Sequence, residues 1–270
     1  METIAFIGGG NMASAIIGGL IRAGRDAGTV LVLEPLEAQR DKLRAEFGVR
    51  TLAESDPALA QAGLVVWAVK PQYFQTAAAP CAPHVAGALQ LSVMAGIRSD
   101  AIARATGTER AVRAMPNTPA LIGRGVAGLY ARGAVGAGER ALVETVLAPT
   151  GRTLWVASEG DLDAVTALSG SGPAYVFLFL EALMQAGVDM GLEPAQARTL
   201  ALDTFAGATE LAQQSSESPG VLREQVTSTG GTTFAALESM RSDGVRDAIV
   251  RALQAARQRA IELGDAFGRD

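Results

Sequence analysis

Two short segments in the C-terminal half place glycine and small hydroxyl residues directly ahead of a helical pattern. They are "SGSGP" (169–173) and "TSTGGTT" (227–233). From Val226 onward no acid, base, thiol or metal ligand appears until Glu238. The chemistry open to such segments is anion binding. A helix start offers unpaired backbone N–H groups and the positive end of the helix dipole, and the hydroxyls add donors. Pro173 is expected as the first residue of one helix, with Ser171 and Gly172 just before it. Thr232 and Thr233 take the same place on a later helix, behind Gly230 and Gly231. Ordinary N-capping is the competing use of Ser and Thr. Two such starts in one helical region favour a small carboxylate as ligand.

A third glycine segment lies near the N-terminus. The run "IAFIG" leads into "GGNMASAIIGGL", giving Gly8-x-Gly10-x-x-Ala13 at a strand-to-helix turn. Gly8 permits the tight turn, Gly10 lets a pyrophosphate approach the backbone, and Ala13 keeps helix and strand close. Gly9, Asn11 and Met12 complete this expected dinucleotide contact. Glu34 ends the second strand, where an acid accepts hydrogen bonds from the adenosine ribose; its charge leans towards NADH, although Arg40 is within reach of a phosphate. "AVKPQ" (68–72), "VMAGI" (93–97) and "MPNTP" (115–119) close later strands. There Ala68, Val69, Lys70, Pro71, Ala95, Gly96 and Asn117 are expected to bracket the nicotinamide end. Lys70 reads equally as a solvated strand-end cation. Asn117 can donate and accept at once.

These residues need elements to hold them. Apolar runs at 3–8, 29–34, 64–69 and 89–95 are nearly continuous, as in strands buried on both faces. Helical stretches separate the early ones, which predicts an α/β domain of Rossmann type over residues 1–158. Runs at 110–115, 125–131 and 152–157 continue the sheet, the last two as additions at its edge. After residue 158 the pattern is helical, over 173–191, 193–214, 232–244 and 245–264, giving an all-helical second domain at 159–270. The helix at 173–191 is apolar almost all round, so it is expected buried, and a dimer through this half supplies the cover.

Composition narrows the rest. The net charge of −5 gives no footprint for nucleic acid. No stretch of 18 unbroken apolar residues is present, and no secretion signal is read at "METIAFIGGG", so neither a membrane nor export is expected. The single cysteine, Cys81, forms no internal disulfide and suits a reducing cytoplasm. No metal site is expected. Only Lys42, Lys70 and His84 carry lysine or histidine chemistry, so no mechanism can rely on either residue type in the C-terminal half. His84, in "APCAPHVAG", reads as a helix-end surface residue.

Taken in order, "FIGGGNMASAIIGGL", "AVKPQ", "MPNTP", "LSGSGPAYVF" and "VTSTGGTTFAALESM" resemble the 1-pyrroline-5-carboxylate reductases, over about residues 3 to 264. The last two motifs are specific to that family, whereas the first is shared with many dehydrogenases. The resemblance implies reduction of a cyclic imine carboxylate to L-proline with NADPH or NADH. It implies an interlocked homodimer through the helical domain, often assembled into a ring of dimers. It also implies that Ser228, Gly231, Thr232 and Thr233 touch the substrate carboxylate, with Glu159 near the substrate. Gln225 stands where some relatives carry Asn near the cofactor, and Glu34 where Ser, Thr or Asn is common. Thr233 is left as a carboxylate ligand or as a group that also helps keep the ring nitrogen protonated. A β-hydroxyacid dehydrogenase would need a lysine in the helical half, which is absent. A reductase for the six-membered imine and a non-catalytic dinucleotide sensor are the remaining alternatives.

Overall fold

The computed structural model describes residues 2–267; residues 1 and 268–270, the outer ends of the two expected domains, lie outside the described residues. In chain order the first elements are β1 (Thr3–Ile7), α1 (Asn11–Arg22), β2 (Val30–Leu33), α2 (Glu37–Phe47), β3 (Arg50–Leu52) and β4 (Ala62–Trp67). Then come α3 (Phe74–Val85), β5 (Leu89–Ser92), α4 (Ser99–Thr106), β6 (Ala111–Met115), β7 (Gly125–Ala131), α5 (Ala137–Leu147) and β8 (Gly151–Trp155). The remainder is helical: α6 (Asp161–Val165), α7 (Gly172–Asp189), α8 (Pro194–Gln214), α9 (Pro219–Gln225), α10 (Thr232–Ser242) and α11 (Val245–Phe267). Two compact units result, one of residues 1–172 and 255–270, the other of residues 173–254.

The eight strands form one sheet in the order β3-β2-β1-β4-β5-β6-β7-β8. Pairing is parallel from β3 through β6, and β7 turns antiparallel to β6 before β8 rejoins parallel to β7. Strand order reverses direction between β1 and β4, the switch point where open α/β sheets bind ligands beyond the strands' carboxyl ends. Alternation along the strands divides the core. Ile4 and Phe6 of β1 face α1 with Ile16, Ile17 and Leu20, whereas Ala5 and Ile7 face α3 with Phe74, Cys81 and Val85. Both faces are therefore covered, which is why the strands read as unbroken apolar runs.

The second half of α11 belongs to the first unit. Phe267 packs on the core beside α3 and α4, and Arg98 Nη2 meets Asp265 Oδ1 at 2.5 Å.

The helical part of the chain departs from expectation at one helix start. The start at Pro173 is not a fresh helix end: α6 runs through a π turn at Thr166–Gly170 into α7, one helical run from Asp161 to Asp189. The Ser171 N–H donates to the Thr166 carbonyl at 2.8 Å, so Ser171 and Gly172 sit within a helix and do not form its open start. Within one chain α7 is largely uncovered, and the cover expected for it is a second chain. Val176, Phe177, Leu178 and Leu183 are exposed, and within the helix only Leu180 and Gly187 are buried among the described residues. Helix α7 packs on α8 where residues are small, Gly187 against Ala197, and Phe179 stacks on Phe205 at 6.4 Å. The run Asp161–Asp189 is long and apolar enough, by length and composition, to cross a bilayer.

Candidate functional site

The parallel stretch from β2 to β6 delivers several expected residues to one edge of the sheet. Gly8 to Met12 follow β1, Glu34 follows β2, Ala68 to Pro71 follow β4, Ala95 and Gly96 follow β5, and Asn117 follows β6. The β1–α1 turn has the shape of a phosphate cradle. Gly8 has φ +96°, and a Cβ there would stand 2.8 Å from the Ala68 carbonyl oxygen. Gly10 is exposed, and a Cβ on it would meet nothing within 4 Å. Helix α1 begins behind Gly10 with no side-chain cap and no acid in its first turn. The donors at that end are left to an external anion, and the residues present fit the pyrophosphate of a dinucleotide.

Glu34 is buried beside this turn, its Oε2 accepting from the Gly9 N–H at 2.9 Å and its Oε1 from the Leu36 N–H at 3.0 Å. Gln39 Nε2 donates to the Gly9 carbonyl at 2.5 Å, so Gly9 is gripped on both sides. Lys70 is exposed at the start of the short helical turn Pro71–Tyr73. Gly96 has φ +76°, in the loop leaving β5. Asn117 is already engaged at both ends. Its Oδ1 accepts from the Val126 N–H at 3.0 Å and its Nδ2 donates to the Ser169 carbonyl at 3.1 Å. It ties β7 to the π turn, and one amide hydrogen and one lone pair are left for any ligand.

Glu159 is similarly occupied. Oε1 accepts from the Ser99 N–H at 2.6 Å and from Arg113 Nη1 at 2.8 Å, while Oε2 accepts from the Ser99 hydroxyl at 2.6 Å. This brace joins the start of α4, strand β6 and the chain entering α6. Arg132 Nη1 adds a longer bond to the same hydroxyl, 3.3 Å. Sequence reasoning missed the brace because its two partners, Ser99 and Arg113, lie 60 and 46 residues away from Glu159 in the chain. Asp163, on α6, is half-buried. Burial pushes its carboxyl above the usual value, against the lowering pull of Arg113, Arg98 and Arg257.

In the helical unit, the segment from Val226 forms the start of α10. Gly230 is left-handed at φ +74°, and Gly231 stands as the N-cap, its N–H donating to the Ser228 carbonyl at 3.0 Å. No side chain caps α10 and no acid lies in its first turn. By contrast α9 is capped by the Ser218 hydroxyl, and Gln196 and Glu193 form a capping box on α8. Thr232 is exposed and Thr233 half-buried on that first turn. The arrangement suits a small anion: helix-end N–H groups, hydroxyl donors and no competing carboxylate.

Comparison with known proteins agrees with both halves. Residues 159–263 match a family model described as pyrroline-5-carboxylate reductase dimerisation, and residues 3–96 one described as NADP oxidoreductase coenzyme F420-dependent. A pyrroline-5-carboxylate reductase of Pseudomonas aeruginosa is 41% identical over 267 residues, covering 98% of each chain. A solved pyrroline-5-carboxylate reductase of Coxiella burnetii superposes with a TM-score of 0.90 at 36% identity, covering 97% of this chain and 98% of that one. The Plasmodium falciparum pyrroline carboxylate reductase, solved with NADP bound, superposes with a TM-score of 0.87 at 27% identity, over 97% and 98% of the two chains.

Proposed function

The chain belongs to the pyrroline-5-carboxylate reductase family, and on that premise we propose how its own residues divide the work. The reaction is reduction of 1-pyrroline-5-carboxylate to L-proline with NAD(P)H. When bound, the reduced nicotinamide supplies the hydride. The cyclic imine takes up a proton on its ring nitrogen, and the resulting iminium accepts hydride at its C=N carbon, C5 of the proline formed, without a strong acid beside it. What the protein must supply is positioning and an anion clamp.

The clamp is assigned to the start of α10. Ser228, Gly230, Gly231, Thr232 and Thr233 hold the substrate carboxylate through backbone N–H groups and hydroxyls. The observation that carries this reading is that α10 opens behind two glycines without a cap or a first-turn acid. The dinucleotide is held by the turn from Gly8 to Met12, with Glu34 on the adenosine side. The loops carrying Ala68, Val69, Lys70, Pro71, Ala95, Gly96 and Asn117 line the nicotinamide side. Glu159 is assigned a positioning role through Ser99 and Arg113, and Ser171 and Gly172 are assigned to substrate binding. The domain limits that go with this division are 1–158 for the dinucleotide part and 159–270 for the substrate and dimerisation part.

The match to a dimerisation model and the apolar exposure of α7 support self-association. The specific form proposed is a homodimer through the helical part, with a ring of dimers as its higher assembly, in the cytoplasm. The deciding experiment incubates purified protein with pyrroline-5-carboxylate and follows the loss of reduced-nicotinamide absorbance, first with NADH and then with NADPH. Oxidation of neither refutes the reading. Thr233→Ala is expected to raise KM. A fall in kcat as well, deepening as pH rises, would add a proton role to its binding role.

A further inference from the structure

Glu34, just after β2, and Arg40, on α2, pull in opposite directions on the choice of reductant. Glu34 is an anion bonded to the glycine turn, and Arg40 a cation bonded to the chain just after Glu34. Their contacts decide between them. Glu34 is 8% exposed, and each of its carboxylate oxygens accepts one backbone N–H, from Gly9 at 2.9 Å and from Leu36 at 3.0 Å. Swinging the carboxylate outward to admit a phosphate would break both bonds. It would also leave the N–H of buried Gly9 without its acceptor. The carboxylate is thus held in place at the edge where the adenosine ribose of a bound dinucleotide lies.

A carboxylate has about four lone-pair sites. Two serve these N–H groups, and two remain for hydroxyl donors. A ribose with free 2′- and 3′-hydroxyls offers two such donors. A 2′-phosphate offers none at neutral pH and brings a charge of about −1.5 to −2 against the fixed anion. Arg40 does not offset this freely. Its Nη1 donates to the backbone carbonyls of Glu34 at 2.8 Å and Pro35 at 2.7 Å, so the guanidinium is tethered to the loop's own oxygens.

We propose that Glu34 makes NADH the preferred reductant of this enzyme, by accepting from the ribose hydroxyls and repelling a 2′-phosphate. The inference rests on reading the β1–α1 turn as the dinucleotide cradle.

Isothermal titration of the whole protein with NADH and with NADPH tests it without turnover. NADH is expected to bind at least about tenfold more tightly. Glu34→Gln keeps one acceptor and nearly the same size while removing the charge, and is expected to narrow the ratio about tenfold by strengthening NADPH binding. Arg40→Ala is expected to change the two affinities alike. Tighter NADPH binding by the unaltered protein overturns the proposal, and that measurement needs no variant to fold. So does an equal effect of Glu34→Gln on both nucleotides, which would confine Glu34 to holding the turn. Selective loss of NADPH binding in Arg40→Ala overturns it as well, by making Arg40 the phosphate ligand. Failure to bind either nucleotide refutes the cradle along with the proposal, whereas tight binding with the opposite ratio refutes the proposal alone.

Discussion

Alanine at Gly8 and alanine at Gly10 are the same chemical change two residues apart, and the structure predicts opposite consequences. At Gly8 the backbone is at φ +96°, and the new methyl would lie 2.8 Å from the Ala68 carbonyl oxygen and 3.0 Å from Val69 Cγ1. The left-handed conformation costs an L-residue about 1–2 kcal/mol. The clash is with strand-end backbone, which cannot rotate away, and overpacking of this kind adds about 1–3 kcal/mol. Gly8→Ala should therefore lose about 2–5 kcal/mol of stability, a large share of the roughly 5–15 kcal/mol typical of a folded domain. At Gly10 the φ is −69° and a methyl meets nothing, so stability should stay within about 1 kcal/mol. The methyl would instead occupy the approach to the open helix end. A pyrophosphate pushed outward loses one or two charge-assisted hydrogen bonds worth about 1.5–3 kcal/mol each, so dinucleotide affinity should fall about tenfold or more. Urea unfolding reads the first quantity and nucleotide titration the second. Unaltered nucleotide affinity in a stable Gly10→Ala protein would refute the cradle. Equal destabilisation by both changes would refute the claim that Gly10 faces open space.

Other perturbations separate roles that the site leaves intertwined. Removing the brace with Glu159→Ala strands Arg113, whose side chain is 9% exposed and whose Nε already lacks a partner, so stability should drop about 2–4 kcal/mol in urea. A rise in KM with unchanged stability would instead make Glu159 a substrate group. Asp163 has its folded carboxyl value raised by burial, so the native state holds the proton more tightly than the unfolded chain. Stability should then fall as pH rises from the unfolded carboxylate value through the folded one. Asp163→Asn should flatten that fall and stabilise the protein at neutral pH, measured as urea midpoints across the acid-to-neutral range. Leu178, 64% exposed on α7, should matter to assembly: Leu178→Asp is expected to lower the mass seen by light scattering after gel filtration.

The parts of the fold legible in the sequence are those with local physical signatures. The glycine turn before α1, the buried strands β1, β2, β4 and β5, and the helices α8, α10 and α11 each follow from short-range spacing. Strand β3 was not legible because three residues, "RTL", carry no apolar run and form a strand only by pairing with β2. Helix α3 contains Pro80 and Pro83, which argue against a helix locally, and its buried Phe74, Ala78, Cys81 and Val85 against the sheet override that. The π turn from Thr166 hides what "SGSGP" looks like on its own, because a proline after a glycine signals a helix start whether or not a helix already runs into it. At the site, glycines and hydroxyls were readable from type and spacing. The partners of Glu34, Asn117 and Glu159 were not, since each is set by a contact 9 to 60 residues distant in the chain.

The return of α11 to the first unit has a consequence for biosynthesis. That unit comprises residues 1–172 and 255–270, so its last piece leaves the ribosome only after residues 173–254 have been made. A nascent chain that has completed all eight strands still lacks Phe267 over the loop leaving β5 and Asp265 beside Arg98. Folding of the N-terminal part as an early, independent module, the usual course for vectorial synthesis, is therefore incomplete until the helical insertion has been made. A truncated gene product ending at residue 172 should keep the sheet yet expose an apolar patch at Gly96 and Ile97, making it stickier than its sheet alone would suggest.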